Sequence, residues 1–148
     1  MKTKFIIFSS LLIFLISCSS SISSLRENPS DYNGKVVTIN GDVTETFSIA
    51  LTGTMIYLLY DKTGTIPVFT IKKRKIGDSV NIKAKVFAIV TKGAVNNVDN
   101  VIERIIQYLK DNDIIHGRLV DLTGKGIAKL MKIILAKSEG SYLLVELI

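Results

Sequence analysis

Residues 34–43 read G-K-V-V-T-I-N-G-D-V. Asn28, Pro29, Ser30 and Asp31, then Asn33 and Gly34, form turn signals just ahead of it. Polar and apolar residues then alternate with period two. Val37, Ile39, Gly41 and Val43 share one face; Thr38, Asn40, Asp42 and Thr44 share the other. That pattern predicts a half-buried strand. A glycine in its middle suggests a bulge or a sharp bend there, as a coiled barrel strand needs.

Outward from this strand, residues 55–60 form a short apolar strand, Asp61, Lys62, Thr63 and Gly64 form a turn, and residues 65–71 form the returning strand. Pro67 within it points to an edge or an irregular position, since proline donates no ladder hydrogen bond. Pairing Tyr60 with Thr65 across the turn sorts the hairpin into two faces. Met55, Tyr57, Leu59, Ile66 and Val68 lie on one; Ile56, Leu58, Tyr60, Pro67 and Phe69 lie on the other. Residues 79–90 alternate again, with Val80, Ile82, Ala84, Val86, Ala88 and Val90 inward. Residues 142–148 form a last strand with Leu143, Val145 and Leu147 on one face.

Five strands in this order resemble the OB-fold barrel. The resemblance is carried by residues 34–43, by Y-L-L-Y-D-K-T-G-T-I over 57–66, and by I-G-D-S-V-N-I-K-A-K-V over 76–86. These stretches look like bacterial OB-fold domains of the anticodon-binding type, including ones carried on small exported lipoproteins. The resemblance implies a mainly β fold, a five-stranded barrel whose outer face on the second and third strands takes ligands. Two departures stand out. Ala84 occupies a position where the family often has glycine, and residues 72–78 are too few for the helix many OB-folds place there.

Residues 93–140 read as a helical insertion before the last strand. Val98, Val101, Ile102, Ile105, Ile106 and Leu109 recur at helical spacing, with Asn97 as an N-cap, so an amphipathic helix is predicted over 98–109. Ile127, Leu130, Met131, Ile134 and Leu135 repeat the pattern, and Gly140 would end that second helix. Residues 114–120 fit a strand or a helix equally. The barrel is therefore assigned to residues 30–92 plus 141–148.

The N-terminus is of a different kind. Lys2 and Lys4 precede an apolar run from residue 5 to 16, too short for a spanning helix of about 20 residues. It has the basic and apolar regions of a secretory signal. Leu15, Ile16, Ser17 and Cys18 resemble the bacterial lipobox. That resemblance implies cleavage of residues 1–17, lipid on Cys18, and a place in the bacterial envelope, on the outer membrane if the cell has one. Residues 18–29, rich in serine, read as a flexible tether.

Composition narrows the chemistry. The chain has 148 residues, the prior for one domain, with ordinary apolar (47%) and charged (22%) fractions, which excludes global disorder. A single Cys allows no internal disulfide or zinc cluster, and a single His, His116, allows no multi-histidine metal site. Nineteen basic residues against 13 acidic ones are compatible with anionic lipid or nucleic acid without requiring either. No nucleophile–base set or acid–base carboxylate pair stands out. Asp111 and Asp113 lack the spacing of a calcium loop. Thr123, Gly124, Lys125 and Gly126 before a helix could cradle an anion, without the spacing of a P-loop. No cofactor is expected, and the chain reads as a non-enzymatic binding module.

The candidate ligand residues are Tyr60 and Phe69, which could stack bases, and Lys72, Lys73, Arg74 and Lys75, which could meet phosphates or lipid headgroups. Both have plainer readings: the 98–109 helix lying on the aromatic face, and a solvated loop. Two ligand classes follow. The leading one is a protein or other envelope component, from the tether and the uncharged outer face. The alternative is a single-stranded oligonucleotide, from the family resemblance and the basic loop.

Overall fold

The computed structural model describes residues 19–88, 97–137 and 142–147. Its strands are β1 (Val36–Ile49), β2 (Thr54–Tyr60), β3 (Thr65–Thr70), β4 (Ser79–Ala88) and β5 (Tyr142–Glu146). They close a barrel in the order β1-β2-β3-β5-β4. The β3–β5 pair is parallel and the others are antiparallel. This is a mixed five-stranded barrel of OB-fold type, as the resemblance implies.

The long first strand makes closure possible by serving two neighbours. From Val36 to Asp42 it pairs with β4, and from Asp42 to Ile49 with β2. A strand changing partners has to coil. The register slips between Val43 and Glu45, and a bulge of this kind adds bend and twist. Gly41 sits where β1 passes the end of β2: a Cβ there would lie 2.6 Å from the Tyr60 carbonyl oxygen. The irregularity expected at Gly41 falls instead between Val43 and Glu45, and the glycine itself is required by close approach. Pro67 has an equally local reason. The parallel ladder to β5 begins only at Val68, so the missing N–H of Pro67 falls just before the ladder.

Inside the barrel lie Ile39, Val43, Tyr57, Leu59, Ile66, Val68, Ile82, Ala84, Val86 and Leu144, all buried. Two further members of this cluster come from outside the strands. Ile22 and Leu25 are fully buried on α1 (Ile22–Glu27), which closes the barrel end at the β2–β3 turn. The flexible tether expected over residues 18–29 is therefore corrected: from Ser20 onward the chain is docked. Ser21 caps α1, its hydroxyl accepting from Ser24 N–H. Asp61 in the β2–β3 turn accepts from Ile22 N–H at 2.7 Å, as a carboxylate at a helix N-terminus should. The same carboxylate takes Thr63 N–H and Gly64 N–H. Burial works against its charge, but these bonds outweigh it and hold the Asp61 carboxyl below its usual value. Burying Ile22 and Leu25 is worth roughly 1.5–3 kcal/mol each, enough to order a short serine-rich segment that composition alone reads as loose. A four-residue helix α2 (Pro29–Tyr32) leads into β1.

The insertion supplies α3 (Asn97–Asp111) and α4 (Leu119–Lys137). Residues 114–120 contain no strand. They hold a turn with Gly117 at φ 56°, and α4 starts at Leu119. The second helix thus begins eight residues before Ile127, and Thr123, Gly124, Lys125 and Gly126 lie within it. The turn and cap read over these residues, and with them any anion cradle at a helix start, are corrected accordingly. Gly126 has a packing role, since a Cβ there would overlap Ile49 Cγ2 and hold α4 off the barrel. Gly140, the leader and Cys18 lie outside the described residues.

Both helices pack on the outer face of the sheet. Ile49, Ile56, Phe69, Phe87, Leu143 and Val145 form a second buried cluster with Val101, Ile102, Ile105, Leu109 and Ile127. The apolar stripe of α3 matches the predicted positions at Val101, Ile102, Ile105, Ile106 and Leu109. Phe69→Ala should therefore lower stability by about 3–5 kcal/mol and Leu25→Ala by about 2–5 kcal/mol. Tyr60→Ala should stay within about 1 kcal/mol, as exposed substitutions do. Urea unfolding of the three variants checks this; an undiminished Leu25→Ala midpoint would restore a loose tether.

Candidate functional site

The outer face of β2 and β3 is where this kind of barrel presents a ligand surface, and here it is divided. Cross-strand pairing puts Ile49, Phe47, Glu45 and Asp42 of β1 beside Thr54, Ile56, Leu58 and Tyr60 of β2, and Ile56, Leu58 and Tyr60 beside Phe69, Pro67 and Thr65 of β3. The helices cover the half near the β1–β2 loop. Phe69 and Ile56 are buried there. Tyr60 lies four residues beyond Ile56, about 13 Å along the strand, and is 41% exposed. The two aromatic candidates are thus separated. Phe69 belongs to the core beneath the helices, while Tyr60 stands in the open half. Its cross-strand neighbour is Asp42, and Leu58 faces Glu45. Both acidic residues are exposed, so the open remnant of the face is aromatic and acidic. Asp42 Oδ1 also accepts the Ser79 hydroxyl.

The four basic candidates divide too. Lys73 and Lys75 are exposed on the β3–β4 connection. Arg74 turns inward and forms an ion pair with Glu146 through Nη2 and Oε1, while its Nε donates to Oε2 at 3.4 Å. Lys72 Nζ lies 3.2 Å from Glu146 Oε1 and donates to the Leu147 carbonyl at 3.1 Å. The Tyr57 hydroxyl donates to Glu146 Oε2 at 3.1 Å from inside the barrel. Glu146, with only 1% of its side chain exposed, is therefore held by two cations and a phenol at the end of the barrel opposite α1. Burial disfavours its charge, yet the bonds from Arg74, Thr70 and Lys72 prevail and hold its carboxyl below the ordinary glutamate value. Burial first, and then the Glu146 charge, push the Tyr57 hydroxyl far above the usual tyrosine range. Tyr57 is a donor that does not ionise.

This latch has no counterpart in the sequence reading. The hairpin pairing groups Tyr57 with Leu59, Ile66 and Val68, but nothing in local spacing links Glu146 to a residue 72 positions earlier. Strand alternation held the one hint: with Leu143 and Val145 on one face, Glu146 shares the other with Leu144.

An open groove of about 590 Å³ runs between α3 and α4, lined by Ile102, Ile106 and Val120 with Glu103, Lys110 and Lys125 among its charged borders. His116 is exposed at the turn between the helices. Among the described residues no group of three or more His, Cys, Asp or Glu side chains is placed to hold a metal. No helix among them is long and apolar enough to cross a membrane.

No known protein family matches the chain, and no curated protein does. Among solved structures it is similar to an aspartyl tRNA synthetase from Entamoeba histolytica, at 15% identity and a TM-score of 0.40, over 49% of this chain and 17% of that one.

The latch makes stability depend on acid. A carboxyl held below its ordinary value in the fold contributes stability that is complete above the unfolded value of about 4.3 and is lost as pH falls through the lower folded value. Asp61 adds a second component of the same sign. Glu146→Gln should therefore show a shallower loss of melting temperature than the wild type below about pH 4.3, with the Asp61 component remaining. Arg74→Met, which strands a buried carboxylate beside Lys72 alone, should cost about 3 kcal/mol at pH 7, the low end for breaking a buried pair. Thermal melts across pH check both, and an unchanged acid slope in Glu146→Gln would remove the latch from the account.

Proposed function

We propose that this protein is a non-catalytic binding module, held in the bacterial envelope by lipid on Cys18, whose partner is a protein or other envelope component. The observation that carries the choice of partner is the character of the open ligand face. Single-strand nucleic-acid grooves pair stacking aromatics with a basic track along the backbone. Here Phe69 lies under the helices, the exposed Tyr60 has Asp42 and Glu45 around it, and Arg74 and Lys72 are engaged by Glu146. An aromatic ring among carboxylates suits a polar or basic protein surface and repels a phosphate chain. The anchor is supported by residues 1–18, with the only cysteine of the chain at the one position a lipobox requires.

The alternative, an oligonucleotide-binding barrel, is supported by the OB-type architecture and by Lys73 and Lys75, which remain exposed. Salt separates the two, because phosphate contacts give a log–log slope of about −0.7 per charge neutralised on single strands. The protein titrated with a fluorescent single-stranded oligonucleotide at low salt should show no binding below about 100 μM, far weaker than specific nucleic-acid affinities. Tight binding with a steep salt slope, lost in a Lys73→Ala, Lys75→Ala double variant, would establish the alternative instead. For the anchor, labelling with a palmitate analogue should appear in the wild type and vanish in Cys18→Ala; equal labelling of both would remove it.

A further inference from the structure

The docking of the N-terminal segment determines which side of the barrel an anchor would approach. Ser20 N–H donates to the Thr38 carbonyl at 2.8 Å, in the half of β1 that pairs with β4 and that β2 does not reach. Cys18 is two residues upstream, and two extended residues span at most about 7 Å. The outward side of the ladder here pairs Val36 with Lys85 and Thr38 with Lys83, since the interleaved Val37, Ile82 and Ala84 are buried inside. Lys35 and Lys83 are exposed, and Val36 is 56% exposed. Lys85 lies 4.7 Å above the Tyr108 ring, which steadies it at the border with α3. Between Val36 and Asn40, and between Asn81 and Lys85, the ladder carries no carboxylate. The acidic residues of this end, Glu27, Asp31 and Asp61, belong to α1, α2 and the β2–β3 turn.

From this placement we propose that the outer face of the β1–β4 ladder, with Lys35, Lys83 and Lys85 around Val36, lies against an anionic bilayer surface. The proposal rests on the reading of Cys18 as the anchor and adds an orientation to it. Basic residues beside an anchor are attracted to anionic headgroups within a Debye length. A competing surface exists on the β3–β4 connection, where Lys73 and Lys75 accompany Ile71 and Ile76, the latter 68% exposed. It lies beyond the Asp42–Ser79 end of the ladder, about 13 Å or more from the Thr38–Lys83 pair, outside the span of two residues. On this geometry the Tyr60 face stays clear of the headgroups and open to a partner.

The test uses the full chain. Lipid on Cys18 consumes the single thiol, so a cysteine introduced at an exposed position takes a single fluorophore. Lipidated Lys35→Cys, Lys83→Cys, Lys73→Cys and Lys129→Cys variants would be placed in phosphatidylglycerol vesicles containing a lipid with a quenching headgroup. Probes at 35 and 83 are expected to be quenched at least threefold more than those at 73 and 129, with the contrast shrinking in phosphatidylcholine. Equal quenching at all four, or stronger quenching at 73, overturns the orientation while leaving the anchor standing. A contrast unchanged in phosphatidylcholine overturns the role of the lysines. A wild-type chain that takes the fluorophore on Cys18 and fails to float with the vesicles overturns the anchor, and the orientation falls with it.

Discussion

Closure of the barrel rests on β5, a strand of five residues that must fit between β3 and β4 after the chain has left to build two helices. So short a strand offers few ladder hydrogen bonds. Its last residue, Glu146, adds what the ladder lacks: a buried carboxylate bound by Arg74 and Lys72 from the β3–β4 connection and by Tyr57 from β2. Those partners come from two segments, so the ion cluster fixes the register of β5 and the path of residues 71–78 together. Removing one partner costs far more than the pair is worth against an apolar replacement, which makes the cluster a constraint on arrangement more than a reservoir of stability.

The insertion before β5 is tolerated because loop-closure entropy grows slowly, by about 0.6 kcal/mol for each doubling of length. The helices more than offset this. They turn the Phe69 half of the outer face of β2 and β3, and that of β5, into interior, so that every residue of β5 is buried. A sheet covered on both faces reads as apolar runs rather than as alternation, and residues 55–60 and 142–145 have that character. Two ends remain to be sealed. The β3–β4 connection carries no helix, and the barrel is instead plugged at the other end by α1, whose Ile22 and Leu25 enter the interior.

The alternation around Gly41, the pairing of Tyr60 with Thr65 and the stripe of α3 were all legible, because each is a local periodicity tied to one face. Features set by distant packing were not. Serine content made residues 18–29 look loose; the opposing signal was only a pair of apolar residues three apart after a serine able to cap. Gly124 and Gly126 looked like a loop because glycine is poor in helices, whereas the helix keeps Gly126 to approach Ile49. Lys72, Lys73, Arg74 and Lys75 looked uniform in sequence. Strand β5, arriving 72 residues after Arg74, divides them: Arg74 turns inward to Glu146, Lys72 reaches the same carboxylate while still exposed, and Lys73 and Lys75 face solvent. Tyr60 and Phe69 share a strand face yet differ in exposure because the helices cover only part of its length.

That division of one face has a functional consequence. A barrel whose ligand surface is wholly open can bind an extended chain along it, with successive aromatic platforms and cations in register. Once α3 and α4 occupy the end near Phe69, the surface left is short, with one aromatic ring and two carboxylates in reach. A short mixed patch suits a compact contact with another folded surface, where a buried aromatic anchor supplies most of the energy and charges set the choice of partner. The docked N-terminus works in the same direction. With Ser20 bonded to β1, the anchor proposed at Cys18 would leave the barrel little freedom to search. Such a module would meet partners that share its surface, in the orientation that the first strand imposes.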